Sequence, residues 1–296
     1  MSPNNRVIWA VIFALFSWAS VQAQDLEVIR VDVALVTVNV NVSDGKGRLL
    51  ASLKAQDFKV TDDGQPVALE FFQGQGPASI VFVVDTSSSM RGSKWRNLKA
   101  GLKEFLKRAP QGNDYTLVAF GDSPRLITNS VRADELWRSL KSLQPVGNTA
   151  LYDAMLLGLN ILVQVPQPHK TLILLSDGED NFSRATLPVV QQKAFAHRTT
   201  IYTVGILPDD RSLLAYGSNG IRLLDELATA TGGLVNFPAQ EEVGEVLKKI
   251  NADVSSHYSL GYYAPTKKPG WRRVQVSLAQ DTTGLNLRYQ QRYLVR

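Results

Sequence analysis

The sequence predicts an α/β fold in which a doubly wound, mainly parallel sheet is inserted into a small β domain formed by the N- and C-terminal flanks. Apolar runs alternate with helical stripes through the middle of the chain, which is typical of a parallel sheet with helices on both faces. Both flanks instead show apolar residues with a period of two, which is typical of β-strands. Each flank has too few strands to be stable alone, so we expect the two flanks to pair.

The N-terminal flank, residues 24–76, alternates as β-strands do. Apolar residues occupy odd positions from 29 to 35 and even positions from 36 to 42. A change of phase turns side chains to the opposite face, so we expect a bulge or a break between strands at Leu35 and Val36. Residues 58–60 and 67–71 alternate around Asp62-Asp63-Gly64, which predicts a hairpin.

The central segment, residues 77–257, alternates between strand and helix patterns. The predicted strands are 80–84, 115–120, 170–175, 200–206 and 234–237, with a short extended piece near Leu126. The predicted helices are 92–109, 133–143, one that opens after Thr149, 187–197, 223–231 and 241–257. This alternation predicts one self-contained α/β domain.

The C-terminal flank, residues 258–296, returns to a period of two, with turns at 266–270 and 281–284. We expect it to pair with residues 24–76, because domain termini that lie close together make the insertion of a domain easy. Two independent β appendages are the alternative.

Hard oxygen ligands follow the first central strand. Asp85, Ser87 and Ser89 stand at alternate positions, and such ligands suit Mg²⁺, Mn²⁺ or Ca²⁺ rather than zinc or copper. Serine runs before a helix also form caps and turns, so the prediction of a metal site depends on two later residues. Thr149 precedes a helix and Asp177 ends a strand. Because ligands bind at the carboxyl ends of parallel strands, we expect all five residues at one rim.

This order closely resembles the metal-ion-dependent adhesion site of von Willebrand factor type A domains, whose pattern is Asp-x-Ser-x-Ser, then Thr, then Asp. Asp85, Ser87, Ser89, Thr149 and Asp177 match every position. The resemblance covers residues 77–258, and the flanks resemble, more loosely, secreted bacterial proteins that carry such domains. It implies a Rossmann-like sheet that binds a divalent cation and, through it, a protein ligand. It also implies direct coordination by the three hydroxyls, with the two carboxylates acting partly through water.

These residues indicate a metal-dependent protein-binding or adhesion module rather than an enzyme. Mg²⁺ held by few protein groups keeps open positions, for which an Asp or Glu side chain of a partner protein is the natural ligand. A structural envelope or assembly protein with a merely stabilising metal is the alternative. A metal-dependent hydrolase is a more distant one.

A two-metal hydrolase would need further acidic or histidine ligands beside the first site. Glu179 and Asp180 follow a glycine turn and are expected to be solvated loop acids. His169, His197 and His257 lack metal-ligand spacing and are expected at the surface. The sequence contains neither a G-x-S-x-G elbow nor a P-loop, the motifs of serine and nucleotide hydrolases.

The first 23 residues have the pattern of a secretory signal peptide. Arg6 precedes an apolar core, and Val21-Gln22-Ala23 predicts cleavage before Gln24. We therefore expect a periplasmic or secreted protein without a stable membrane anchor after cleavage, an uncleaved anchor helix being the alternative. The sequence has no cysteine, which excludes disulfides and a lipidated cysteine and favours a bacterial envelope protein.

The formal net charge is +5, and the C-terminal flank is strongly basic. A solvated strand face explains this charge better than a patch for anionic surfaces. Nucleic acid is not an expected partner, because no recognition motif is present. The basic residues of the flank are Lys267, Lys268, Arg272, Arg273, Arg288, Arg292 and Arg296, against the single acid Asp281.

Overall fold

The computed structural model describes residues 35–206, 218–280 and 284–295. Its strands are β1 Leu35–Asp44, β2 Phe58–Asp62, β3 Gln65–Val67, β4 Phe71–Gln73, β5 Ala78–Asp85, β6 Asp114–Phe120, β7 Pro124–Val131, β8 His169–Ser176, β9 Thr200–Gly205, β10 Val235–Asn236, β11 Tyr258–Tyr263, β12 Gly270–Leu278, β13 Leu285–Tyr289 and β14 Arg292–Val295. Its helices are α1 Ser93–Lys107, α2 Ala133–Lys141, α3 Leu151–Val163, α4 Leu187–His197, α5 Ser218–Ala230 and α6 Val243–Val254.

The central sheet has the strand order β10-β9-β8-β5-β6-β7. Its neighbours run parallel except at one edge, where β7 is antiparallel to β6. All eight residues of β5 are buried, as expected for a middle strand covered on both faces. Side chains of α1, α2 and α6 fill the core on one face, and those of α3, α4 and α5 fill the core on the other. The doubly wound α/β fold predicted from the sequence is confirmed.

The flanks form two further antiparallel sheets, β13-β1-β11-β4 and β14-β12-β2-β3. Each contains strands from both flanks: Val38 of β1 lies opposite Leu260 of β11, and Val60 of β2 lies opposite Val276 of β12. Apolar side chains from both sheets share one core. The flanks therefore pair around the inserted α/β domain. Independent folding of the predicted segments 24–76, 77–257 and 258–296 stays a prediction.

The N-terminal flank differs from its prediction in two details. The β2–β3 hairpin is present, but residues 67–71 are not one strand, because the chain leaves one sheet after Val67 and joins the other at Phe71. Alternation of apolar residues does not reveal such a change of sheet. No break separates Leu35 from Val36, which pair regularly with Tyr263 and Tyr262. Residues 29–34 lie outside the described residues.

The remaining differences concern helix ends and undescribed segments. Helix α6 ends at Val254 rather than at residue 257, and α5 begins at Ser218, before the predicted start at 223. No helix in the described ranges is long and apolar enough to cross a membrane. The predicted signal peptide, residues 1–23, and most of the predicted turn at 281–284 lie outside those ranges.

Candidate metal-binding site

The centre of the sheet positions the first acidic residue of the site. Asp85 is the last residue of β5, which lies between β8 and β6. A short 3₁₀ turn, Ser88–Met90, follows it and leads into α1. Asp177 comes directly after β8 ends at Ser176, and Thr149 lies two residues before α3. Asp85 and Asp177 therefore lie at the ends of adjacent parallel strands, at the carboxyl edge of the sheet.

Backbone hydrogen bonds hold the three loops of the site together. The amide of Val146 donates to the carbonyl oxygen of Thr86 at 2.6 Å, and the amide of Ser88 donates to that of Gly147 at 3.0 Å. On the other side, the Thr149 amide donates to Asn181 Oδ1 at 3.0 Å. The loop that carries Thr149 is thus fixed between the loops that follow β5 and β8.

The Asp85 carboxylate is buried and fully engaged in the structure. Its Oδ1 accepts a hydrogen bond from the Ser87 amide at 2.8 Å, and its Oδ2 accepts one from Ser176 Oγ at 2.7 Å. Burial raises the pKa of Asp85 to about 6, and the nearby charge of Asp177 also raises it, while hydrogen bonds from Ser87 and Ser176 lower it. The negative charge of Asp85 is therefore costly without a cation.

The hydroxyl groups of the predicted site are neutral oxygen groups. Ser87 Oγ and Ser89 Oγ are 2.9 Å apart, and Ser87 and Thr149 are both buried. In the described ranges, no group of three or more His, Cys, Asp or Glu residues has the geometry of a metal site. Any ion held at this edge would therefore depend on serine and threonine oxygens together with two carboxylates.

Asp177 provides the test of whether these residues fit a cation. Its Oδ1 is buried and has no hydrogen-bond partner, while its Oδ2 accepts a hydrogen bond from Lys94 Nζ at 3.1 Å. A buried carboxylate oxygen without a partner is costly, and a divalent ion would relieve that cost. The donor set of hard oxygens fits Mg²⁺, Mn²⁺ or Ca²⁺. The roles of the five residues as ligands stay a prediction.

The structure corrects the prediction for Asp180, whose side chain caps the start of helix α3. Glu179 is exposed as predicted, but Asp180 is not a solvated loop acid. Its Oδ1 accepts hydrogen bonds from the Leu151 amide at 2.8 Å and from Ser183 Oγ at 2.5 Å. It thus satisfies a free amide at the start of α3, and a carboxylate at that end is favourable to the helix. Sequence spacing did not reveal this cap, because Asp180 lies outside the helix that it serves.

The prediction that the histidines lie at the surface is wrong for two of the three. His169 and His257 are fully buried, and their ring centroids are 5.9 Å apart. His257 Nε2 lies 3.1 Å from the Tyr202 hydroxyl, which donates to Asp253 Oδ2 at 2.7 Å. These contacts involve Tyr202 of strand β9 and Asp253 of helix α6. The spacing of apolar residues in the sequence does not predict the burial of a polar residue.

This buried polar cluster is remote from the candidate metal site. His169 is the first residue of β8 and Asp177 follows its last, so a strand of about 25 Å separates them. Burial lowers the pKa of both His169 and His257, and for His257 the nearby His169 and Arg288 lower it further. The cluster is therefore part of the core rather than of a metal site.

The basic flank is partly neutralised within the protein. Arg272 Nε donates to Asp62 Oδ1 at 2.7 Å, and the Arg288 guanidinium pairs with the Asp253 carboxylate. Lys267, Lys268, Arg273 and Arg292 are exposed. Two of the basic residues thus stabilise the structure, and four face solvent as predicted.

Comparison with known proteins identifies the α/β domain. Residues 80–179 match the family model of the von Willebrand factor type A domain. A von Willebrand factor type A protein from Catenulispora acidiphila has the same fold over 90% of this chain and 74% of that one, with 15% identity and a TM-score of 0.52. The inserted domain of this chain is therefore a von Willebrand factor type A domain.

Two further relatives are similar over smaller parts. Inter-alpha-trypsin inhibitor heavy chain H3 of Bos taurus is 25% identical over 235 residues, which cover 72% of this chain and 24% of that protein. The chain thus spans about a quarter of the length of this curated relative. The second is proximal thread matrix protein 1 from the mussel byssus, whose metal-ion-dependent adhesion site (MIDAS) motif is occupied by zinc. It aligns over 64% of this chain and 48% of that one, with 16% identity and a TM-score of 0.50.

Proposed function

We propose that this protein is a secreted, divalent-metal-dependent protein-binding module whose ligand presents an Asp or Glu side chain to the bound ion. The observation that carries the proposal is that Asp85 and Asp177 lie at the carboxyl ends of adjacent strands and that Asp177 Oδ1 is buried without a hydrogen-bond partner. A buried carboxylate oxygen without a partner, with neutral oxygens in the same loops, attracts a hard cation.

In this proposal the hydroxyls of Ser87, Ser89 and Thr149 hold the ion directly. Asp85 and Asp177 supply the balancing charge, partly through water. A bound Mg²⁺ ion supplies a positive centre with an open position, which attracts a carboxylate from another protein. Ser176 and Asn181 position the site, since the first binds Asp85 and the second binds the Thr149 amide.

The comparisons support the class of this function. Von Willebrand factor type A domains are adhesion-type modules, and the mussel protein shows an occupied site of this kind, there with zinc. Mg²⁺ or Mn²⁺ is proposed here because oxygen ligands suit these ions better than zinc. Secretion is proposed from the signal pattern of residues 1–23. A non-enzymatic role is proposed because, within the part of the chain that the structure describes, no group of acidic or histidine residues forms a second metal site.

The test is association with a native envelope extract, measured in Mg²⁺ and in chelator. Thr149→Ala removes one neutral ligand and leaves both charges, so metal affinity should weaken modestly while association falls sharply. Thr229→Ala, an exposed position of α5, is the matched control and should associate normally. Blocking the carboxyl groups of the extract by amidation should abolish association with the wild type.

Two outcomes would contradict this function. Association that survives both chelator and Thr149→Ala indicates a structural envelope protein whose metal serves only stability. Association that survives amidation of the extract shows that no acidic side chain completes the site.

A further inference from the structure

One lysine points into the candidate metal site. Lys94 Nζ lies 3.1 Å from Asp177 Oδ2, and the two side chains are only 12% and 7% exposed. Lysine is rarely buried unless its charge is paired, and a paired ammonium this poorly solvated is held strongly by its partner. The contact therefore differs from the exposed ion pairs on the helices of this protein, such as Lys107–Glu104.

The position of Lys94 in its helix strengthens this observation. It is the second residue of α1, and the N-terminus of a helix carries a partial positive charge that disfavours a lysine. Local helix energetics therefore do not explain a buried ammonium here. The Asp177 carboxylate does explain it, because it binds the Lys94 ammonium directly.

We propose that Lys94 is an internal cation that occupies Asp177 in the metal-free protein and is displaced when a divalent ion binds. This inference rests on the proposed metal site. The ammonium stabilises the metal-free fold by pairing with a poorly solvated acid, and it weakens metal binding because the ion pair must be broken first. Lys94 thus sets the metal concentration at which the site fills.

A purely supporting role for Lys94 predicts the opposite sign. If Lys94 holds Asp177 in place while the ion is bound, its removal weakens metal affinity, as the loss of groups that orient metal ligands generally does. If Lys94 competes with the ion, its removal strengthens metal affinity. The direction of the change in Kd therefore separates the two roles.

The experiment measures Mn²⁺ and Mg²⁺ binding to wild type and Lys94→Met by titration calorimetry, together with Tm in chelator. Lys94→Met should bind metal about tenfold more tightly or better, and its Tm in chelator should be lower than that of the wild type. Lys94→Gln, which keeps a neutral donor toward Asp177, replaces Lys94→Met if the latter does not fold. Lys103→Met removes the same charge from an exposed position of α1, about 14 Å along the helix, and should leave Kd within twofold.

Each outcome bears on the proposal. Tighter binding by Lys94→Met supports it, and so does binding by Lys94→Met alone, which would mean that the ion pair closes the wild-type site. Equal or weaker binding by Lys94→Met, with a wild type that binds, overturns the competition and leaves the metal site standing. If neither protein binds metal, both the competition and the proposed function are wrong.

Discussion

Arg288→Met should destabilise the protein strongly, because Arg288 joins the C-terminal flank to the α/β domain. Its guanidinium on β13 pairs with Asp253 at the end of α6 and donates to the carbonyl oxygens of Gly232 and Gly233 at 3.2 and 3.3 Å. The Asp253 side chain is 5% exposed, and its pKa is raised by burial, while Arg288 and Tyr202 lower it. The change leaves an acid buried without its charged partner.

The expected magnitude follows from the burial of the pair. Removing one partner of a buried ion pair costs about 3–5 kcal/mol, and because the Arg288 side chain is 26% exposed, we expect the lower end of this range. Asp253 keeps its hydrogen bond from the Tyr202 hydroxyl, which limits the loss. For a chain of this size a loss of about 3 kcal/mol corresponds to a decrease in Tm of roughly 6–12 °C.

The assay is urea denaturation of four proteins: wild type, Arg288→Met, Asp253→Asn and the double variant. The double variant should be more stable than the sum of the single losses predicts, by about 1 kcal/mol or more, because it removes both charges of the pair. Arg273→Met, at an exposed position of β12, should change the free energy of unfolding by less than about 0.5 kcal/mol. Strict additivity, or a loss no larger than that of Arg273→Met, would refute the reasoning.

Three further predictions concern pH, domain structure and metal. His169 and His257 are buried with lowered pKa values, so below about pH 6.5 the unfolded chain binds protons that the folded one does not. As the pH decreases, the two histidines should therefore lower the free energy of unfolding by up to about 2.7 kcal/mol per pH unit. Asp85 and Asp253, whose pKa values are raised by burial, should offset part of this loss near and below pH 6, so a flat profile between pH 6 and 8 would be inconsistent with the histidine shifts. Residues 77–257 expressed alone should fold and bind metal, whereas residues 24–76 alone should not; a cooperative thermal transition in the shorter fragment would argue against the shared β domain. Mg²⁺ at 100 times its Kd should stabilise the wild type by about 2.7 kcal/mol and should not stabilise Asp177→Ala, so an equal gain in both would exclude Asp177 from the site.

The sequence predicted the parts of this protein that follow from regular patterns. The alternation of strand and helix patterns predicted the α/β fold, and the rule that parallel strands present ligands at their carboxyl ends predicted Asp85 and Asp177 at one edge of the sheet. The structure places both residues there: Asp85 is the last residue of β5, and Asp177 directly follows the adjacent strand β8.

The parts that were missed depend on contacts between distant residues. Lys94 and Asp177 are 83 positions apart, and nothing in the helical pattern of α1 indicates that this lysine faces the site. His169 and His257 are buried and their rings lie 5.9 Å apart, whereas a histidine by itself suggests a polar surface. Ser176 is the last residue of β8, which pairs with β5 in parallel register, and Ser176 therefore lies next to Asp85. A prediction that these two strands are neighbours would have indicated this contact.

The central claim is that a divalent ion binds among Asp85, Ser87, Ser89, Thr149 and Asp177. Crystals of the full chain grown with Mn²⁺ and measured at a wavelength where manganese scatters anomalously would test it most directly. The account predicts one strong anomalous peak within bonding distance of the hydroxyl oxygens of Ser87, Ser89 and Thr149, at the carboxyl edge of the central sheet. A peak elsewhere, or no peak at this edge at a saturating Mn²⁺ concentration, would contradict it.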